Sequence, residues 1–180
     1  MNLVLITLHA ALAVVFATAA YSKLRRPSAL RAFTASLREL GLVPRALAAP
    51  LGLLVAAAEV AATGLLLWPP TAGAGLVLSG LLLVAFSAVI GLVLRRGTTA
   101  YCRCFGASGG LLRADHAVRN LTLALAAALG LAAGPVDLTA SGSVAELAAA
   151  AFAVAVGVSL ALPVVRWDDL RFLFTTTKEV

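Results

Sequence analysis

Five long, dominantly apolar stretches constrain this chain more than any other feature of its sequence. They cover residues 2–20, 47–68, 72–94, 117–133 and 144–165. Each is about 17–23 residues long, and at 1.5 Å per residue a helix of that length crosses a hydrocarbon core of roughly 30 Å. A chain of 180 residues can enclose one soluble core, but it cannot hide five such segments from water. The composition agrees: 62% of residues are hydrophobic and 12% charged, against roughly 45–50% and about 25% in soluble domains. Ala, Leu and Val dominate the runs without period-two alternation, which points to helices. Lipid also demands that backbone groups be satisfied within each segment. The expected fold is all-α: a polytopic integral membrane helix bundle of about five transmembrane helices. It forms one domain over 1–165, followed by a short polar tail at 166–180.

The net charge of +6 does not indicate nucleic acid. The basic residues fall between the apolar runs rather than along one face, and aromatics make up only 6% of the chain. Their placement instead sets an orientation. Lys23, Arg25, Arg26, Arg31, Arg38 and Arg45 lie between runs one and two. Arg95, Arg96, Arg103 and Arg113 lie between runs three and four, and Arg166, Arg171 and Lys178 are in the tail. The other two connections carry no Lys or Arg. With five spans all of these residues share one side. The positive-inside rule then puts the N-terminus outside the cell membrane, with the C-terminus and the 95–113 connection in the cytoplasm.

Between runs one and two, Leu30, Phe33, Leu37 and Leu40 recur at three- or four-residue spacing, with Arg31 and Arg38 off that stripe. The pattern predicts a short interfacial amphipathic helix whose arginines meet anionic headgroups. A plain helix packed on the bundle fits nearly as well. The first run resembles a leader peptide at Ala17-Thr18-Ala19, but no Lys or Arg precedes it, so it reads as a span.

The chain has two cysteines, Cys102 and Cys104, separated by Arg103. Three readings of this pair compete. As a redox couple it closes a very small disulfide ring, whose strain raises the reduction potential toward an exchangeable value. Arg103, Arg95 and Arg96 favour the thiolate. As a metal site, two thiolates with His116 suit a soft ion such as Cu(I) or zinc, though no second cysteine pair completes the set. As inert residues, they are two free thiols in a membrane loop.

Glu59 lies in the middle of the second run, where a carboxylate is costly unless neutral or paired and so marks a candidate site. Lys23, His9, Arg119 and Asn120 are its candidate partners. The alternative is a structural hydrogen bond between helices. Arg119-Asn120 opens the fourth run after Asp115, which reads as an N-cap. This places the pair near the cysteines, to anchor their loop or stabilise a thiolate. A snorkelling arginine is the plainer reading. Gly106 to Gly110 lacks the following lysine of a phosphate loop, and no cofactor is expected.

Taken together, Ala20-Tyr21-Ser22-Lys23-Leu24, Glu59, Cys102-Arg103-Cys104-Phe105-Gly106 and Arg119-Asn120 resemble the methylamine-utilisation MauE family, within the wider MauE/DoxX group of redox-associated membrane proteins. The resemblance covers about residues 1–165. It implies a small polytopic protein of the inner or plasma membrane that supports thiol–disulfide exchange, alongside a thioredoxin-like or disulfide-containing partner. In methylamine-using bacteria this serves maturation of the disulfide-rich small subunit of methylamine dehydrogenase. On this view Cys102 and Cys104 are the exchanging pair of a thiol–disulfide oxidoreductase, with Arg103, Arg119, Asn120, Glu59 and Lys23 in support. A non-catalytic scaffold for such a partner and a thiolate metal handler are the alternatives. The implied chemistry lies outside the cell while charge counting puts the cysteines inside, unless the loop folds back into the bundle or the topology is inverted.

Overall fold

The computed structural model describes residues 3–97, 113–134 and 143–166, together with the backbone of 101–102 and 110–111. Six helices account for almost all of it. They are α1 (Leu3–Leu24), α2 (Pro27–Glu39), α3 (Ala48–Leu67), α4 (Ala72–Arg95), α5 (Ala114–Ala132) and α6 (Val144–Val165). Single 3-10 turns at Arg45–Leu47 and Pro69–Thr71 lead into α3 and α4. Between α4 and α5, β1 (Tyr101–Cys102) pairs antiparallel with β2 (Gly110–Leu111). The sequence gives no sign of this small ladder.

Residue size, more than hydrophobicity, decides which face of α3, α5 and α6 turns inward. The buried residues of α3 are Ala48, Gly52, Ala56, Glu59, Ala62 and Leu66, while Leu53, Leu54, Val60 and Leu67 are exposed. In α5 the inner face is His116, Asn120, Ala124, Ala127 and Gly130, and Val118, Leu121, Leu125 and Leu129 point out. The inner face of α6 is Ala153, Gly157 and Ala161. A water-soluble bundle would bury the leucines. In these three helices the large apolar side chains mostly face outward and the small and polar ones inward, a packing that a lipid solvent favours. The molecule is an all-α membrane helix bundle.

Helix α1 is the centre of the bundle. It packs on α6 and α3 most extensively and also touches α2, α4 and α5, while α4 pairs with α3 and α5. Leu12, Ala13 and Phe16 of α1 form the main core with Ala62, Leu66, Leu76, Leu83, Ala124 and Ala127. The approach of α6 to α1 depends on Gly157, because a Cβ there would collide with the Thr7 carbonyl oxygen and the Ala10 Cβ.

Helix ends follow local chemistry. Pro27 opens α2, where a missing N–H costs nothing. The Ser143 hydroxyl caps α6 by accepting from the Glu146 N–H at 3.3 Å. Gly97 and Gly134 end α4 and α5 with φ of 65° and 86°, a region that other residues rarely adopt.

Three sequence expectations change in detail. Among the described residues, four helices are long and apolar enough to cross a membrane: α1, α3, α4 and α6, the second and third counted with their leading 3-10 turns. The expected span at 117–133 is present as α5, but its first two turns carry Asp115, His116, Arg119 and Asn120, which lowers its apolar character. The residue capping α5 is Arg113, and Asp115 sits inside the first turn rather than at the cap. The amphipathic stripe of α2 faces the protein: Phe33 is buried, Leu30 and Leu37 are half-buried, and the helix packs on α3 and α1. Residues 167–180, nearly all of the expected polar tail, lie outside the described residues.

Candidate functional site

The apolar run at the start of the chain stops at Ala20, but the helix continues through Leu24. The extra turn carries Lys23. Helical side chains tilt toward their own N-terminus, so Lys23 reaches back into the bundle instead of out to the membrane surface. Its Nζ donates to Glu59 Oε1 at 2.8 Å and Oε2 at 3.0 Å, and to the Ala19 carbonyl at 3.2 Å. Both side chains are 1% exposed. All three ammonium donors therefore have an acceptor within reach. From α2, the Phe33 ring lies 4.8 Å from Nζ and covers the pair. Thr34 beside it packs so close to α3 that a Cβ on Gly52 would stand 2.5 Å from its methyl.

Of the four candidate partners for Glu59, the structure selects Lys23. His9 is a local contact of α1, with Nδ1 at 2.7 Å from the Leu5 carbonyl. Arg119 reaches sideways to α6, donating to the Val164 carbonyl at 3.1 Å and to its neighbour Asn120 Oδ1 at 3.3 Å. Val164 is in the last turn of α6, where carbonyls have no helical partner. A cation there satisfies one of them and meets the negative end of the helix dipole. Asn120 is buried on the inner face of α5. Ser87 of α4 donates to its own Leu83 carbonyl at 2.8 Å and lies 3.4 Å from the Ala117 carbonyl, tying α4 to the start of α5.

Lys23, Ser87, Arg119 and Asn120 lie toward one end of the bundle, whereas Glu59 is mid-helix in α3 and His9 is in the first half of α1. Ile90 and Val93, near the end of α4, pack with Leu40 and Leu42 after α2 and with Ala117 at the start of α5. Every described Lys and Arg lies at this end. At the opposite end, the Pro69–Thr71 turn and the α5–α6 junction have Glu146 as their charged residue among those described. The β1–β2 ladder springs from the charged end, with Cys102 in register with Gly110. Arg103 and Cys104, and the side chain of Cys102, lie outside the described residues.

Sequence reasoning missed three contributors. Phe33 was legible as part of an apolar stripe but not as the cover of an ion pair. Ser87 gave no signal, and the Val164 carbonyl is a backbone group that no side-chain pattern reveals.

The fold and this charged end define a multi-pass membrane helix bundle with a buried Lys–Glu pair and a cysteine-bearing hairpin between its fourth and fifth helices. A family model, methylamine utilisation protein MauE, matches residues 1–133, and the chain belongs to that family. The match takes in α1 to α5, hence all seven candidate site residues, and ends before α6. No curated protein and no solved structure matches the chain.

Proposed function

We propose that this protein is a membrane factor for thiol–disulfide exchange, serving a thioredoxin-like or disulfide-containing partner in a maturation step of the kind methylamine dehydrogenase needs. The observation that carries the reading is the backbone position of Cys102, the first residue of the Cys102-Arg103-Cys104 sequence. Cys102 stands in a two-residue strand on the α4–α5 connection, at the end of the bundle where the basic residues collect. Basic residues close to a cysteine favour its thiolate over the thiol.

The proposed reaction has two steps. One cysteine thiolate attacks a disulfide sulfur of the partner, forming a mixed disulfide and releasing one partner thiolate. The second cysteine then attacks the mixed disulfide, which closes Cys102–Cys104 and frees the other partner thiolate. Two electrons pass from the pair to the partner, and oxidation of a partner dithiol is the same sequence reversed. Arg103 favours the attacking thiolate. Lys23 and Glu59 hold α1 to α3, and Arg119 with Asn120 fixes the start of α5, so that the hairpin has a rigid base. On the positive-inside rule the cysteines face the cytoplasm.

A non-catalytic scaffold is the second reading, and the enclosure of Lys23–Glu59 beneath Phe33 favours it, because a sealed ion pair serves architecture well. Differential labelling in intact cells with membrane-permeant and impermeant maleimides, before and after mild reduction, separates the two. Labelling that appears only after reduction, and that no longer needs reduction in Cys102→Ser or Cys104→Ser because the remaining thiol has lost its partner, is the expected outcome, with the permeant reagent alone reaching the pair. Thiols that label freely under every oxidising condition would leave the scaffold in its place.

A further inference from the structure

We propose that the outward face of α2, with the arginines at its two ends, is a binding surface for the phosphate groups of anionic lipids. Phe33, Thr34 and Ser36 are buried against the bundle. The opposite side presents Arg31, Ala35 and Arg38, all exposed. Arg31 and Arg38 are two turns apart, about 10 Å along the axis, with only the small Ala35 between them. Arg25 and Arg26 precede the helix and Arg45 follows it, each exposed.

Among the described residues these arginines form no ion pair. The ion pairs among the described residues are Lys23–Glu59, Arg113–Asp115 and the His116–Asp115 contact, and none involves α2 or its flanks. Glu39 is the one acidic residue of the helix. The apolar side of α2 is already used in covering Lys23 and packing on Gly52, so the helix has little left with which to enter acyl chains. What it offers outward is charge and hydrogen-bond donors in the planar geometry that suits phosphate.

The position selects lipid over a soluble acidic protein. Tyr21, 68% exposed on the last turns of α1, and Trp68, 64% exposed at the far end of α3, are the amphipathic rings that lie at headgroup level on the two sides of a bilayer. Helix α2 begins just beyond Tyr21 and is tied at both ends to spanning helices, so its outer face stays in the headgroup layer. This surface is independent of the cysteines and goes beyond the thiol–disulfide reading.

The test is to reconstitute the full chain into vesicles of equal phosphatidylglycerol and phosphatidylcholine, extract it in a neutral detergent, and quantify the retained lipid. Phosphatidylglycerol is expected to be enriched. The enrichment should fall about fivefold for each arginine removed in R31Q/R38Q and return in large part in R31K/R38K, which keeps the charge and loses only the planar donors. Raising salt to about 1 M, where screening acts within about 3 Å, should abolish the enrichment in the unmodified protein, which requires no variant to fold. Equal retention of the two lipids overturns the proposal, as does enrichment that R31Q/R38Q leaves unchanged. Poly-glutamate that displaces phosphatidylglycerol and binds more tightly, with the same arginine dependence, would assign the surface to an acidic protein instead.

Discussion

A lysine with 1% of its side chain exposed is rare in any protein, because an ammonium loses far more hydration on burial than one contact returns. Lys23 is held by the two oxygens of Glu59, a backbone carbonyl and an aromatic face, so the cost is offset only while every partner is present. Removing one side of the pair is therefore worse than removing both. Glu59→Gln and Lys23→Met are each expected to destabilise the protein by about 3–5 kcal/mol, whereas Lys23→Met/Glu59→Leu recovers most of that loss. Thermal unfolding in detergent micelles measures it. A double variant as unstable as the two single losses added together would show that the pair is not coupled.

At the level of helices, the bundle is assembled through small residues that let backbones approach. Gly157 is the tightest case, since the atom a Cβ would strike is the carbonyl oxygen of Thr7 in a neighbouring backbone, which cannot rotate away. Gly157→Ala should therefore cost about 1–3 kcal/mol in overpacking and push α6 from α1. Hydrogen–deuterium exchange is the measurement: faster exchange along α6 is expected, with α3 and α4 unchanged. Exchange that stays the same in α6 would mean the crossing has slack. Arg119 gives α6 a second attachment at its C-terminal turn, so loosening should be greatest near Gly157.

For the molecule as a whole, the segregation of charge, through the positive-inside rule, gives an expected orientation in the bilayer. A cytoplasmic basic end predicts that green fluorescent protein fused at the C-terminus fluoresces and alkaline phosphatase fused there is inactive, with the pattern reversed at the N-terminus. An active C-terminal phosphatase would invert the bundle. The hairpin with Cys102 would then lie outside the cell, where disulfide chemistry on an exported partner needs no path across the membrane.

The length and apolarity of the runs, without period-two alternation, were enough to determine that helices form and that lipid is their solvent, while of the five expected spans four are long and apolar enough among the described residues. The cysteine motif and the charge pattern were legible for the same reason: each is local in the chain. The pairing was not. Runs that are apolar on every side carry no hydrophobic periodicity to say which face turns inward, so the choice of Lys23 from four candidates for Glu59 depended on how α1 and α3 pack. The boundary at Ala20 hid the further turn that carries Lys23 into the interior. The polar opening turns of α5 became intelligible only once Ser87 and the end of α6 were beside them. Distance along the chain hides such contacts, since a carbonyl at Val164 and a guanidinium at Arg119 meet only through the packing of two helices.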